Sequence, residues 1–256
     1  MPLLGCGGHS PLLRGGGGDP VILNERQILE RLTHPDPEKR LVVTPILAPE
    51  QQFGPSSLDV RLGPDFKVVR TSRLTHLDPL KDPADIEADV SRYTENIVTQ
   101  PGEPFVLHPG EFALASTLEF IRLPNDIAAR LEGRSTWGRL GLEVHATAGF
   151  VDPGFSGALT FELKNSGQVP LPLYAGLRIA QLCFFLLSEP SQLPYAAKRY
   201  TKYAGRTGTV GSQYFKDPEY AALRAAARRA LGEAAGRTPT AEAARGTRSD
   251  VAGRER

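Results

Sequence analysis

Residues 132–165 read EGRSTWGRLGLEVHATAGFVDPGFSGALTFELKN. The end of this stretch decides the fold class, because Ala158 to Leu163 alternates strictly, with Leu159, Phe161 and Leu163 on one side and Thr160 and Glu162 on the other. A period of two is that of a strand buried on one face only. Upstream, Gly149-Phe150-Val151-Asp152-Pro153-Gly154-Phe155-Ser156-Gly157 reads as a tight hairpin with its carboxylate at the apex. Downstream, Leu177, Ile179, Gln181 and Cys183 alternate against Arg178, Ala180 and Leu182. Pro104 to Leu107 and Glu111 to Ala115 flank His108-Pro109-Gly110 as a further hairpin. Short alternating stretches between 22 prolines and 26 glycines are the pattern of an all-β chain.

Helices are expected only at the margins. Asn24 caps a short one, with Gln27 at the capping-box position and Ile28, Leu29 and Leu32 on one face, and His34-Pro35-Asp36-Pro37 stops it. Asp217-Pro218-Glu219 opens another, alanine- and arginine-rich over Tyr220 to Ala235. The polar run Thr71 to Gln100 is too long for a plain turn and reads as an insertion or mobile excursion. Residues 1–20 form a glycine-rich leader expected to be disordered, residues 21–216 the domain, and residues 217–256 the helix and a disordered tail.

The chain of 256 residues, 40% hydrophobic and 23% charged, is long enough for a sizeable core. A net charge of +1 supplies no overall field for nucleic acid or an anionic membrane, so any polyanion must be held locally. The longest apolar run, near Leu182 to Leu187, is far shorter than the roughly 20 residues of a membrane span, and no signal pattern opens the chain. A soluble, cytoplasmic protein is expected. Cys6 and Cys183 are the only cysteines, so neither a disulfide framework nor the H-x-E and P-C-x-x-C pattern of zinc-dependent nucleobase deaminases is present, and no H-x-x-x-H spacing suggests another protein-held metal.

Several residues invite chemistry, each with a plainer reading beside it. Gly133-Arg134-Ser135-Thr136, with Arg139 following, offers cations, hydroxyls and flexible backbone to a phosphate chain, or is a turn with surface arginines. Asp152 can hold a sugar in its bend, or serve only as a turn residue. Glu162, between Phe161 and Leu163, either faces solvent or occupies a pocket that raises its pKa and suits acid–base work. Trp137 is read first as packing and second as a stacking surface, and His145 first as a structural histidine. Tyr195, ahead of a lysine-containing segment, is a natural phosphate partner.

Arg134-Ser135-Thr136, Ala148-Gly149-Phe150-Val151-Asp152, Phe155-Ser156-Gly157 and Gly176-Leu177-Arg178-Ile179-Ala180-Gln181-Leu182, in this order and spacing, resemble the motifs of the dUTPase and dCTP deaminase superfamily over residues 22–215. Within it, dUTPases carry an apolar residue where Glu162 stands, whereas dCTP deaminases carry the glutamate that activates water. Gly141-Leu142, Val144-His145, Thr147-Ala148, Pro194-Tyr195, Lys202-Tyr203 and the opening strand Ser57-Leu58-Asp59-Val60-Arg61-Leu62-Gly63 also resemble the deaminase branch. Gly149-Phe150 and Gln181 resemble the bifunctional members, which deaminate dCTP and then release pyrophosphate to give dUMP for thymidylate synthesis.

The resemblance implies a distorted jelly-roll-like β-clip fold with a few short helices, and a homotrimer whose active sites lie between subunits. It implies catalysis by Glu162 with Ser135 and Arg139. Substrate contacts would come from Arg134, Ser135, Thr136, Trp137, Gly138, Arg139, Asp152, Thr160, Phe161, Glu162, Gln181, Tyr195, Lys202 and Arg206, with Gly149 and Phe150 setting the product. Mg²⁺ would arrive on the triphosphate, as that ion favours phosphate oxygens and water. Two departures stand out: Trp137 replaces the usual Leu, and Arg206 replaces the usual Gln of the segment that closes over the nucleotide. The rival readings are a monofunctional deaminase yielding dUTP, a plain dUTPase, and a non-catalytic nucleotide sensor on the same fold.

Overall fold

The computed structural model describes residues 21–69, 76–78, 80–197 and 202–236. In chain order these form α1 (Glu25–Leu32), β1 (Val42–Thr44), α2 (Pro49–Gln52), β2 (Leu58–Val69), α3 (Pro83–Tyr93), β3 (Thr94–Val98), β4 (Phe105–Leu107), β5 (Phe112–Arg122), β6 (Ile127–Gly133), α4 (Ser135–Gly138), β7 (Leu142–Glu143), β8 (Phe150–Val151), β9 (Ser156–Asn165), β10 (Leu171–Leu173), β11 (Arg178–Leu186) and α5 (Pro218–Gly236). They divide into two units, the described part of Met1–Phe66 with Ile97–Val210, and Lys67–Asn96 with the described residues from Gly211 on. The leader and the tail beyond residue 236 lie outside the described residues.

The first unit is the expected mostly-β body. Its main sheet runs β7-β9-β5-β2-β11-β6-β8, with β1 added on β5, and β4 and β10 form a separate antiparallel pair. Alternation in β9 works as read: Leu159, Phe161 and Leu163 are buried, while Thr160 and Glu162 share the half-buried opposite face. Leu58, Val60 and Leu62 of β2 and Ala180, Leu182 and Phe184 of β11 join the core. We expect Phe161→Ala to cost about 3–5 kcal/mol in chemical denaturation, as truncation of a fully enclosed ring does, against under about 1 kcal/mol for Thr160→Ala.

Local signals held where short-range chemistry decides. Asn24 accepts from the Gln27 amide and Gln27 returns the bond, so α1 opens with a complete capping box. Of its three apolar residues Ile28 is buried, but Leu29 is 52% exposed, since the neighbouring position points about 100° away. The helix anticipated after Asp217 is α5.

Pairing departs from expectation in two places. The turn at 108–110 forms, with the Glu111 amide donating to the His108 carbonyl at 3.0 Å, but the flanking strands do not pair with each other: β4 goes to β10 and β5 to β9. Likewise the turn at Asp152 to Phe155 closes at 3.2 Å, yet β8 pairs with β6 and β9 with β5 and β7. Each turn therefore joins strands that pair elsewhere. In β11 a register shift between Arg178 and Ala180 buries Ile179 beside Ala180, so the alternation starts only beyond it, with Gln181 and Cys183 on the other face.

The described part of the Thr71 to Gln100 run is no open excursion. It holds α3 and β3, and belongs to the second unit up to Asn96. There Lys81 pairs with the buried Asp89 at 2.7 Å, and Arg228 of α5 with Asp82 at 2.6 Å.

Candidate active site

Where β6 ends at Gly133 the chain turns through Arg134 into the four-residue helix α4. Helical bonds from Trp137 and Gly138 to the Arg134 carbonyl, at 3.0 and 3.1 Å, fix the turn and expose Ser135 and Thr136. Main-chain amides at the start of such a turn have no partner within it. After α4 the chain passes Gly141 at φ +91°, where a Cβ would lie 2.4 Å from the Gly167 amide nitrogen. This close approach ties the turn to the loop that follows β9.

Beside α4 lies a cleft of about 410 Å³ lined by Arg134, Ser135, Thr136, Gln181, Ser57, Asp59 and the segment around Gln51 to Pro55. Gln181 is the register partner of Asp59 on β2 and of Glu132 on β6, so three neighbouring strands deliver polar side chains on one rung. The Ser57 hydroxyl holds the Gln181 carboxamide oxygen at 3.3 Å. Asp59 accepts from Arg178 Nη1 at 3.1 Å and forms an ion pair with Arg134 Nε at 3.1 Å, and Arg134 Nη1 donates to the Arg178 carbonyl at 3.0 Å. Burial pushes the Asp59 carboxyl above its ordinary value, and the Arg134 and Arg178 guanidiniums oppose that rise. Trp137 donates from Nε1 to the same Arg178 carbonyl at 3.1 Å, which makes it an anchor for α4 on β11, the packing role.

A second group stands on the polar face of β9. Glu162 Oε2 accepts from the amides of Ala146 and Thr147 at 2.8 and 3.2 Å, and the Glu162 amide donates to the Val144 carbonyl at 3.0 Å. The carboxylate is thus oriented by the loop between β7 and β8, and is half-buried beside Thr160. Phe161 is fully enclosed on the core face, so what it offers a ligand is its main chain. Asp152 is half-buried in its turn, and the Tyr195 amide donates to the Pro153 carbonyl at 2.7 Å, with the Tyr195 ring 5.6 Å from that of Phe155. Arg206 is exposed, but its backbone docks on β9: Ala158 donates to its carbonyl at 2.9 Å, and Gly205 donates to Ser156 at 2.7 Å. Lys202 is half-buried in the same segment.

Gly149 has a packing reason. A Cβ there would meet the Leu131 carbonyl at 2.9 Å and the His145 ring at 3.3 Å, while Phe150 is 64% exposed. His145 Nε2 lies 3.8 Å from Glu132 Oε2. Gly138 and Arg139 are exposed at the end of α4.

One chain therefore assembles Arg134, Ser135, Thr136 and Gln181 in the cleft, whereas Glu162, Thr160 and Asp152 are not in its lining. The first set suits an anion and the second a polar ring near a carboxylate. The reading from sequence missed Asp59 and Ser57 as parts of this cleft, and Arg178 as a partner of Asp59. The signal for Ser57 and Asp59 was the alternation of polar Ser57, Asp59 and Arg61 with apolar Leu58, Val60 and Leu62. Among the described residues no group of three His, Cys, Asp or Glu is arranged to hold a metal, and no helix is long and apolar enough to cross a membrane.

The chain is 46% identical over 184 residues to "dCTP deaminase, dUMP-forming" of Methanobrevibacter smithii, covering 72% of this chain and 90% of that one. It is 49% identical over 198 residues to the protein of the same name from Mycobacterium avium, covering 77% and 97%. A crystal structure of 2'-deoxycytidine 5'-triphosphate deaminase from Agrobacterium tumefaciens matches 65% of this chain and 48% of its own, at 23% identity and a TM-score of 0.49. The model of the dCTP deaminase-like family matches residues 22–187, and the chain belongs to that family.

Proposed function

We propose that the protein deaminates dCTP and then releases pyrophosphate, giving dUMP. The observation that carries the reading is Glu162, a carboxylate oriented by two main-chain amides on the polar face of β9, in a chain whose family relatives bear the name dUMP-forming dCTP deaminase.

Glu162 takes a proton from water as the oxygen attacks C4 of the cytosine ring. It passes protons to N3 and to the departing amine, so dCTP and one water become dUTP and ammonia. One carboxylate serves both directions when its surroundings hold it in place. Ser135 and Arg139 orient the water and stabilise charge developing on the oxygen. Thr160 and the adjoining main chain of Phe161 meet the base edge, and Asp152 binds the 3′-hydroxyl. Arg134, Ser135, Thr136, Gly138, Gln181, Tyr195, Lys202 and Arg206 hold the triphosphate. In the second step a further water, oriented by Asp152, attacks the α-phosphorus and pyrophosphate leaves. The donor set of the cleft, hydroxyls and guanidiniums, suits phosphate oxygens, with Mg²⁺ carried on them. A cytoplasmic location goes with a nucleotide substrate.

The active site forms between subunits of a homotrimer in this reading. What supports it is that Arg134, Ser135, Thr136 and Gln181 line a cleft whose lining within one chain does not include Glu162. A time course with labelled dCTP and Mg²⁺ tests the reaction by resolving dUTP, dUMP and ammonia. The expected products are dUMP, pyrophosphate and ammonia, with little free dUTP. Stoichiometric dUTP that persists leaves deamination standing and removes the second step. Turnover of dUTP alone points to a plain dUTPase, and absence of all products to a nucleotide sensor.

A further inference from the structure

Asp59 is a buried carboxylate, 8% exposed, that the reaction as described does not use. It lines the cleft together with Arg134, Ser135, Thr136 and Gln181. Two guanidiniums converge on its Oδ2: Arg134 through Nε and Arg178 through Nη1, each at 3.1 Å. Arg178 Nη1 also donates to the Gln51 carbonyl, so it is committed to the wall of the cleft. Arg134 has Nε on Asp59 and Nη1 on the Arg178 carbonyl. Among the described residues its Nη2 is the nitrogen left to meet a ligand. A planar guanidinium held at both Nε and Nη1 presents Nη2 in one orientation, and less side-chain freedom is then lost when an anion binds.

The strand beneath is equally fixed. The Asp59 carbonyl accepts from Gln52 Nε2 at 3.1 Å, and the next polar residue on that face, Arg61, pairs with the buried Glu119 at 3.5 Å. Gln52 accepts the amides of Leu47 and Ala48 at 2.9 and 3.1 Å. The carboxylate therefore stands on backbone that is held from both sides.

We propose that Asp59 is a positioning residue for the triphosphate, acting through Arg134: it anchors the guanidinium in the cleft and aims its Nη2 at the phosphates. Without the carboxylate, two like charges are left side by side and half-buried, and Arg134 turns toward water. The added positive charge of the cleft does not compensate, because attraction to an untethered side chain carries its ordering entropy. The inference rests on reading Arg134 as a phosphate contact.

The test compares kcat and KM for dCTP in the wild type, Asp59→Asn, Arg134→Gln and the double variant. Asp59→Asn is expected to raise KM about tenfold with kcat within about twofold, the loss of one charge-assisted anchor. Arg134→Gln raises KM at least as much, and the double variant no further, since the effects pass through one side chain. An unchanged KM in Asp59→Asn beside a raised KM in Arg134→Gln overturns the positioning role and leaves the phosphate reading intact. An unchanged KM in Arg134→Gln overturns both. A lower Tm and lower kcat at constant KM assign Asp59 to stability alone and also overturn the proposal. Should Asp59→Asn fail to fold, Asp59→Asn with Arg178→Met removes one charge of each sign while keeping the Arg178 carbonyl. The same tenfold rise in KM is expected, and wild-type KM in that pair refutes the role.

Discussion

Glu162→Gln should abolish ammonia release from dCTP, by about a hundredfold or more, while nucleotide affinity stays within about threefold. The substitution is nearly isosteric, and the amide has one oxygen to offer. That oxygen can take the place of Oε2 and accept from the Ala146 and Thr147 amides, as the carboxylate does now. The loop between β7 and β8 is then still held, and the base edge still meets the same face of β9. The NH2 group falls where the second carboxylate oxygen stood, and it cannot accept a proton from water. Binding and chemistry separate in this variant, so equilibrium binding of dCTP and the rate of ammonia release are measured on one preparation. Turnover above roughly a tenth of the wild-type rate rules out Glu162 as the general base.

The second large effect is a restoration. Glu162→Gln and Arg139→Ala subunits are each expected to be inactive alone, and mixing them after dissociation and reassembly should recover activity. The support is geometric: within one chain Ser135 of α4, the helix that Arg139 ends, lines the cleft, and Glu162 on β9 does not. In a closed ring with equal mixing, a site needs an intact Glu162 on one subunit and an intact Arg139 on the next. Random assembly gives about a quarter of sites that arrangement, so about a quarter of the wild-type rate is the expected ceiling. No recovery, together with a monomeric mass in solution, refutes the shared site.

The residues in both experiments are legible in the sequence. Alternation at 158–163 placed Glu162 on the polar face because a strand's side chains alternate whatever its neighbours are, and the burial of Leu159, Phe161 and Leu163 follows from it. The capping box of α1 was equally legible, being made within four residues, as was the helix start at Pro218. Motif order placed the chain in its family. In each case the deciding interaction is local, or is written into the order of the motifs.

Only the tertiary structure decided which strands pair. The turns at His108 and Asp152 looked like hairpins because their residues favour turns, but turn chemistry fixes a reversal and not a partner. β4 left for β10 and β8 for β6, drawn by apolar faces contributed from distant parts of the chain. The same limit hid Asp59. Its carboxylate owes its place to Arg134, 75 positions further along the chain, and to Arg178, 119 positions along. An ion pair over such separations has no local spacing to announce it. The sequence by itself determined the strand faces, the local caps and the family; the partners of β4 and β8, the register shift that buries Ile179, and the arginine fork on Asp59 were decided by packing, because each depends on groups that only the folded chain brings within reach.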